Sequence, residues 1–262
     1  GELFVALSGD KFDGHDFLVD VCAKGAVAAL VEQQRIAALP PELPGIVVDN
    51  SRHALGRIAH NYRNLFQFAA VAIGGSNGKT STKKLVAAVL TQQLTTVWSP
   101  ASFNNDIGVP LTVLQLGPPH DAGIFEVGTN HPGELRPLIE MIRPNIGIIT
   151  SIGREHLEHF GDLDGVLHEE GTLAELLPPG GLLILDGDGY GADSLVRPSA
   201  ARVIRVGLGS QNDWRIRITE MGPDGSRFEV ENEVPEYSGE YHIKLLGSHQ
   251  VVNATYAIVV GK

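Results

Sequence analysis

The chain has 262 residues, 43% of them hydrophobic and 19% charged, with 31 acidic against 20 basic side chains for a formal net charge of −11. This length suits two domains or one large one, and the acid excess argues against nucleic acid as the main partner, because binding a phosphate backbone needs a basic face. No apolar run nears the ~20 residues that span a bilayer, no basic segment followed by an apolar one opens the sequence, and the single cysteine, Cys22, fits a cytoplasmic setting as a small buried hydrophobe.

In chain order, short strands are predicted at Leu3–Leu7 and Gly45–Val48. Between them lies a helical stretch near Phe17–Ala29, followed by the apolar run Ala26–Glu32. A helix at Ala54–Tyr62 leads out of this small α/β unit, taken as residues 1–68. A second unit, 69–262, opens with the apolar strand Phe68–Gly74 and a helix from Lys79 that carries Leu85, Val86, Val89 and Leu90 on one face. Strands at Gly123–Val127, Ile146–Ile152, Leu182–Leu185 and Val203–Val206 alternate with helices at Glu134–Ile142 and Gly165–Leu176. The fold class is therefore α/β, with a mostly parallel sheet flanked by helices. From Trp214 to Leu246 the period changes to two, which predicts two or three antiparallel strands. Asn253–Lys262 reads as the start of an apolar helix without a partner, and the natural chain is expected to continue.

The most informative segment is Gly74-Gly75-Ser76-Asn77-Gly78-Lys79-Thr80, between an apolar strand and a helix. Glycines let backbone N–H groups approach phosphate oxygens, and the helix N-terminus and Lys79 add positive charge. The Thr80 hydroxyl is placed to ligate magnesium. Ile73 stands where the general phosphate-loop pattern has its first glycine. The implied ligand is ATP or a related nucleotide.

Within this loop, G-S-N-G-K-T resembles the loop of the Mur ligase and folylpolyglutamate synthase superfamily. Phe103–Pro110 resembles the FNNEIGVP signature of MurF-type ligases, Glu126–Glu134 their ELGANHPGE, and His156-Leu157-Glu158 with Phe160-Gly161 their AHLExFG. Gly1–Leu7 and Asp13–Phe17 resemble the UDP-sugar-binding domain shared by MurE and MurF types. The resemblance implies a cytoplasmic, monomeric, ATP- and Mg2+-dependent ligase. It would join D-alanyl-D-alanine to UDP-N-acetylmuramoyl-tripeptide through an acyl phosphate, with neither nucleic acid nor membrane as partner. It further implies a UDP-sugar domain at 1–68, an ATP-binding domain at 69–262, and a third, amine-binding domain missing beyond Lys262.

Carried over by motif, the nucleotide contacts are Gly75, Ser76, Asn77, Gly78, Lys79, Thr80, Ser81, Asn104, Asn105, His249 and Asn253. The catalytic and metal-binding set is Lys79, Thr80, Glu126, His156 and Glu170. Two positions depart from the family. Gln250 replaces the first asparagine of GxHNxxN, and Glu170 replaces the lysine of AKGE that becomes carbamylated and helps bind a second metal. Glu170 is expected to supply that negative charge directly or through water, the alternative being a solvated helix residue and a weak second site.

Blander readings stand beside these. Glu126 and His131 can each serve at a helix cap, His156 can be structural, and Asp49–Arg52 reads better as a turn than as a uridine contact. Trp98 and Trp214 read as packing residues, and Lys83 and Lys84 as solvated helix positions. A truncated or binding-only homologue, or a sister ligase of the MurE or folylpolyglutamate type, remains the alternative.

Overall fold

A computed structural model describes residues 1–9, 11–99 and 101–262. They form two compact units, Gly1–Asn61 and Tyr62–Lys262.

In the first unit β1 (Leu3–Val5), α1 (Leu18–Ala23), β2 (Ala28–Glu32) and β3 (Gly45–Val48) precede α2 (Ser51–Arg63), which runs across the unit boundary. The strands pair in parallel in the order β1-β2-β3. The helix expected to reach Ala29 ends at Ala23, and the alanine-rich run after it supplies the central strand. Burial of Ala29, Leu30 and Val31 outweighs helix propensity there. Cys22, expected to be buried, is only partly so. Fully buried His15 accepts the Glu32 N–H at Nε2 (2.9 Å) and meets Asp13 Oδ1 at Nδ1 (2.5 Å). An N–H donor on one side therefore assigns the ring proton to Nδ1. Glu32 Oε1 in turn accepts the Ser51 N–H, and Asn50 Oδ1 the His53 N–H. The Asp49–Arg52 segment thus acts as the turn that starts α2.

The second unit follows the order β4 (Ala69–Gly74), α3 (Lys79–Leu90), β5 (Thr96–Trp98), α4 (Gly108–Val113), β6 (Ala122–Glu126), α5 (Leu135–Ile142), β7 (Ile146–Ile149), α6 (Leu157–Phe160), α7 (Leu163–Leu176), β8 (Leu182–Asp186), α8 (Ala192–Val196) and β9 (Arg202–Gly207). After these come β10 (Trp214–Gly222), β11 (Gly225–Asn232), β12 (Gly239–Ile243) and α9 (Ser248–Gly261). Among the described residues the sheet runs β12-β11-β10-β9-β8-β7-β4-β6-β5. It is parallel from β5 to β10, and β11 is antiparallel to both of its neighbours, β10 and β12.

Side chains alternate across the strands. Val71, Ile73, Ile124 and Ile148 share a core with Val86 and Leu90 of α3 and Val251, Tyr256 and Val259 of α9. The other face carries α5 and α7, with Leu173 beside Gly147. The C-terminal helix, expected to lack a partner, packs against α3. Strand β5 was not expected. Its Trp98, read as a packing residue, is 36% exposed on this edge strand, whereas Trp214 is buried and stacks on Tyr237 with centroids 5.7 Å apart. Among the described residues no helix is long and apolar enough to cross a membrane.

Candidate functional site

Strand β4 lies between β6 and β7, so the loops leaving the carboxyl ends of these strands diverge and open a crevice where open α/β sheets bind ligands. The 74–80 loop crosses this point. Gly75 and Gly78 have φ of +105° and +91°, a region that side chains with a Cβ rarely adopt. A Cβ on Gly75 would come within 2.5 Å of Thr150 Oγ1, and one on Gly78 within 3.0 Å of Asn253 Oδ1.

The loop is stitched to the chain leaving β7. Ser76 N–H donates to the Ser151 carbonyl (2.8 Å), Asn77 N–H to Ser151 Oγ (3.1 Å), and Gly153 N–H to Ser76 Oγ (2.8 Å). Lys79 Nζ folds back onto the carbonyls of Gly75 and Ser76. Gly78, the N-cap of α3, gives no side-chain cap, so it leaves uncapped the first-turn N–H groups, which no helix can satisfy internally. A helix start of this kind is an anion site.

Beside it, the carboxylate of Glu126 ends β6 and is 2% exposed. It accepts the Thr80 hydroxyl (3.1 Å to Oε1, 3.0 Å to Oε2) and Asn104 Nδ2 (3.2 Å). Thr80 and Glu126 together offer hard oxygen donors, the type that magnesium takes. Lys83, read from the sequence as a solvated position, is instead fully buried and ion-paired with Glu126 at 3.0 Å. Only Lys84 of that pair is exposed.

The structure places the remaining expected residues as follows. Glu170 is not solvated. It is 1% exposed, its Oε2 accepts the Gly75 N–H at 2.6 Å, and its Oε1 has no partner. Burial pushes its pKa up to about 7, against the pull of Lys79 and the Gly75 N–H. Asn253 is buried against Gly78, while His249 is exposed in the first turn of α9, where the neighbouring Gln250 has a buried Oε1 without a partner. Asn105 Oδ1 accepts the N–H groups of Ile107 and Gly108 at the start of α4. Ser81 lies half-buried in the first turn of α3.

His156 adopts φ +47° before α6, a strained conformation outside glycine, with Nδ1 3.9 Å from Glu158. Among the described residues, no group of three or more His, Cys, Asp or Glu is assembled to hold a metal. The His131 ring lies tilted against that of His159, with centroids 4.1 Å apart, and its Nδ1 meets Glu134 Oε1 at 3.1 Å. Burial opposes ionisation of Glu134, yet hydrogen bonds from Asn130, His131 and its ring hold its pKa low.

Two residues with structural roles escaped the sequence reading. Glu169, 6% exposed, accepts the N–H groups of Gly133 (2.8 Å) and Leu135 (2.9 Å) and so caps α5 from α7. Tyr256 anchors the β7 exit through a hydrogen bond to the Thr150 carbonyl (3.1 Å), and burial raises its pKa well above the ordinary phenol value.

Comparison with known sequences gives this geometry its family. The profile described as the Mur ligase middle domain matches residues 73–261, and that of the Mur ligase family catalytic domain matches residues 1–63. The chain belongs to the Mur ligase family. It is 35% identical to the UDP-N-acetylmuramoyl-tripeptide–D-alanyl-D-alanine ligase of Escherichia coli, over 98% of this chain and 56% of that protein. The Bacillus subtilis enzyme of the same name is 30% identical over 99% of this chain and 55% of its own length. The chain thus spans about half the length of the curated relatives it matches. Among solved structures, MurF from Acinetobacter baumannii superposes with a TM-score of 0.90 at 29% identity, over 99% of this chain and 56% of that one. Within the Mur ligase family, residues 73–261 are thus the middle domain, and the loop, Thr80, Glu126 and Asn253 meet inside it.

Proposed function

We propose that this chain carries the nucleotide- and acyl-substrate-binding parts of an ATP-dependent ligase that joins D-alanyl-D-alanine to UDP-N-acetylmuramoyl-tripeptide in peptidoglycan precursor synthesis. The carrying observation is the convergence of the 74–80 loop, Thr80 and Glu126 at the carboxyl end of the central strand. The relatives' names supply the substrates. In this reading the first unit takes the UDP-sugar end of the acceptor and the second takes ATP.

Phosphoryl transfer asks chiefly for positioning and charge neutralisation. The first-turn N–H groups of α3 and Lys79 hold the triphosphate, and Lys79 exchanges its loop carbonyls for phosphate oxygens. Asn104 and Asn253 border that pocket, and Gly75, Ser76, Asn77, Gly78 and Ser81 shape it, with Asn105 holding the turn after Asn104. By motif, His249 and Gln250 belong to the segment that the family uses near the adenine. Thr80 and Glu126 would hold a magnesium ion, which when bound neutralises phosphate charge. The peptide's terminal carboxylate oxygen attacks the γ-phosphorus and ADP leaves. The dipeptide amine then attacks the acyl carbon, loses a proton, and inorganic phosphate departs. His156 and Glu170 belong to the carboxylate side of this arrangement.

One observation favours a binding-only homologue: Glu170, where the family carries its modified lysine, spends an oxygen on the Gly75 N–H. Hydroxylamine trapping separates the two readings. Incubation with ATP, Mg2+ and UDP-N-acetylmuramoyl-tripeptide is expected to yield a hydroxamate that requires both substrates. Nucleotide binding with no tripeptide-dependent hydroxamate would support the binding-only reading.

A further inference from the structure

Lys83 stands one helical turn beyond Lys79 on α3, a spacing that puts both on one face. Its ammonium reaches Glu126 Oε2 (3.0 Å), Ser99 Oγ (3.1 Å) and the Ala101 carbonyl (2.5 Å). An ammonium has three N–H bonds, so these acceptors use its full donor capacity and leave none for a phosphate. The two oxygens of Glu126 thereby become unequal. The Thr80 hydroxyl lies within reach of both (3.1 and 3.0 Å), but Oε2 is also held by a buried cation, whereas Oε1 has beside it only the Asn104 amide, a neutral group that can turn aside.

We infer that Lys83 sets which cation the site accepts. By occupying Oε2 it leaves Glu126 one oxygen for a metal, which enforces single-oxygen coordination. This inference rests on the nucleotide-site reading above. Magnesium is small, demands near-ideal octahedral geometry, and is bound through one or two carboxylates together with water and phosphate. Calcium is larger and readily takes both oxygens of one carboxylate. A carboxylate shared with an ammonium suits the first ion and handicaps the second. Lys83 is thus a positioning residue. It also ties Glu126 to Ser99 and Ala101, shortly before Phe103 and Asn104 in the chain, so cation choice and the placement of Asn104 share one anchor.

Calorimetric titration of the 262-residue chain with ADP in Mg2+, in Ca2+ and without divalent cation tests this, for the unchanged protein and for Lys83→Met, which keeps length but not charge. The unchanged chain is expected to bind ADP at least about tenfold tighter with Mg2+ than with Ca2+. Lys83→Met is expected to shrink that preference about tenfold, with cation-free ADP affinity within about twofold of the original. An unaltered preference, or an equal loss under all three conditions, overturns the inference. Should Lys83→Met not fold, the unchanged protein still decides, because equal affinity in Ca2+ and Mg2+ overturns it. Absence of ADP uptake with any cation would instead overturn the nucleotide-site reading itself.

Discussion

Glu170 Oε2 accepts the backbone N–H of Gly75 at 2.6 Å, so a buried carboxylate on α7 holds the start of the 74–80 loop. The same carboxylate leaves Oε1 buried without a partner, and that asymmetry has a thermodynamic consequence.

Burial raises the Glu170 pKa to about 7 from the model-peptide value of 4.5. Between those values the folded chain retains a proton that the unfolded chain has lost, so stability falls as pH rises through this window and the full penalty is present above it. Glu170→Gln keeps an acceptor for the Gly75 N–H and cannot ionise. Urea unfolding of the nucleotide-free protein should find the variant more stable at pH 8, by on the order of 1–3 kcal/mol, with the difference shrinking towards pH 5. An equal difference at both pH values would contradict this.

Gly75→Ala forces a Cβ towards Thr150 Oγ1 at φ +105°. The expected cost is about 1–3 kcal/mol, read as a lower thermal midpoint, together with weaker nucleotide binding, because the N–H groups of this loop lose their alignment. A variant with unchanged midpoint and affinity would show that the loop tolerates a side chain.

Glu169→Ala removes the acceptor of the Gly133 and Leu135 N–H groups. Loss of a helix cap and exposure of two orphaned donors should destabilise the protein by about 2 kcal/mol in urea. Glu169→Gln, which retains an acceptor oxygen, should recover part of that loss.

Much of this arrangement was legible in the sequence, because glycines, a lysine and a hydroxyl in a strand-to-helix turn have few other uses. The alternating strands and helices after Phe68 also followed from periodicity. Lys83 was misread because helical spacing reveals which residues share a face but not what covers that face, and the covering group, Glu126, is 43 positions away. Strand β2 was obscured by its alanines, which favour a helix until two parallel neighbours bury them. Strand β5 has three residues, too few to show a period. The engagement of Glu170 with Gly75 joins residues 95 positions apart, and no local pattern carries that information.

The central claim is that Lys79 and the start of α3 grip a nucleotide's phosphates beside Thr80 and Glu126. Calorimetry of magnesium–ATP-analogue binding to the unchanged chain and to Lys79→Ala tests it most directly. Saturable one-to-one binding that weakens at least about tenfold in the variant, a loss of roughly 1.4 kcal/mol or more, is the predicted result. Equal affinity in the two proteins, with both shown to be folded, would contradict the account.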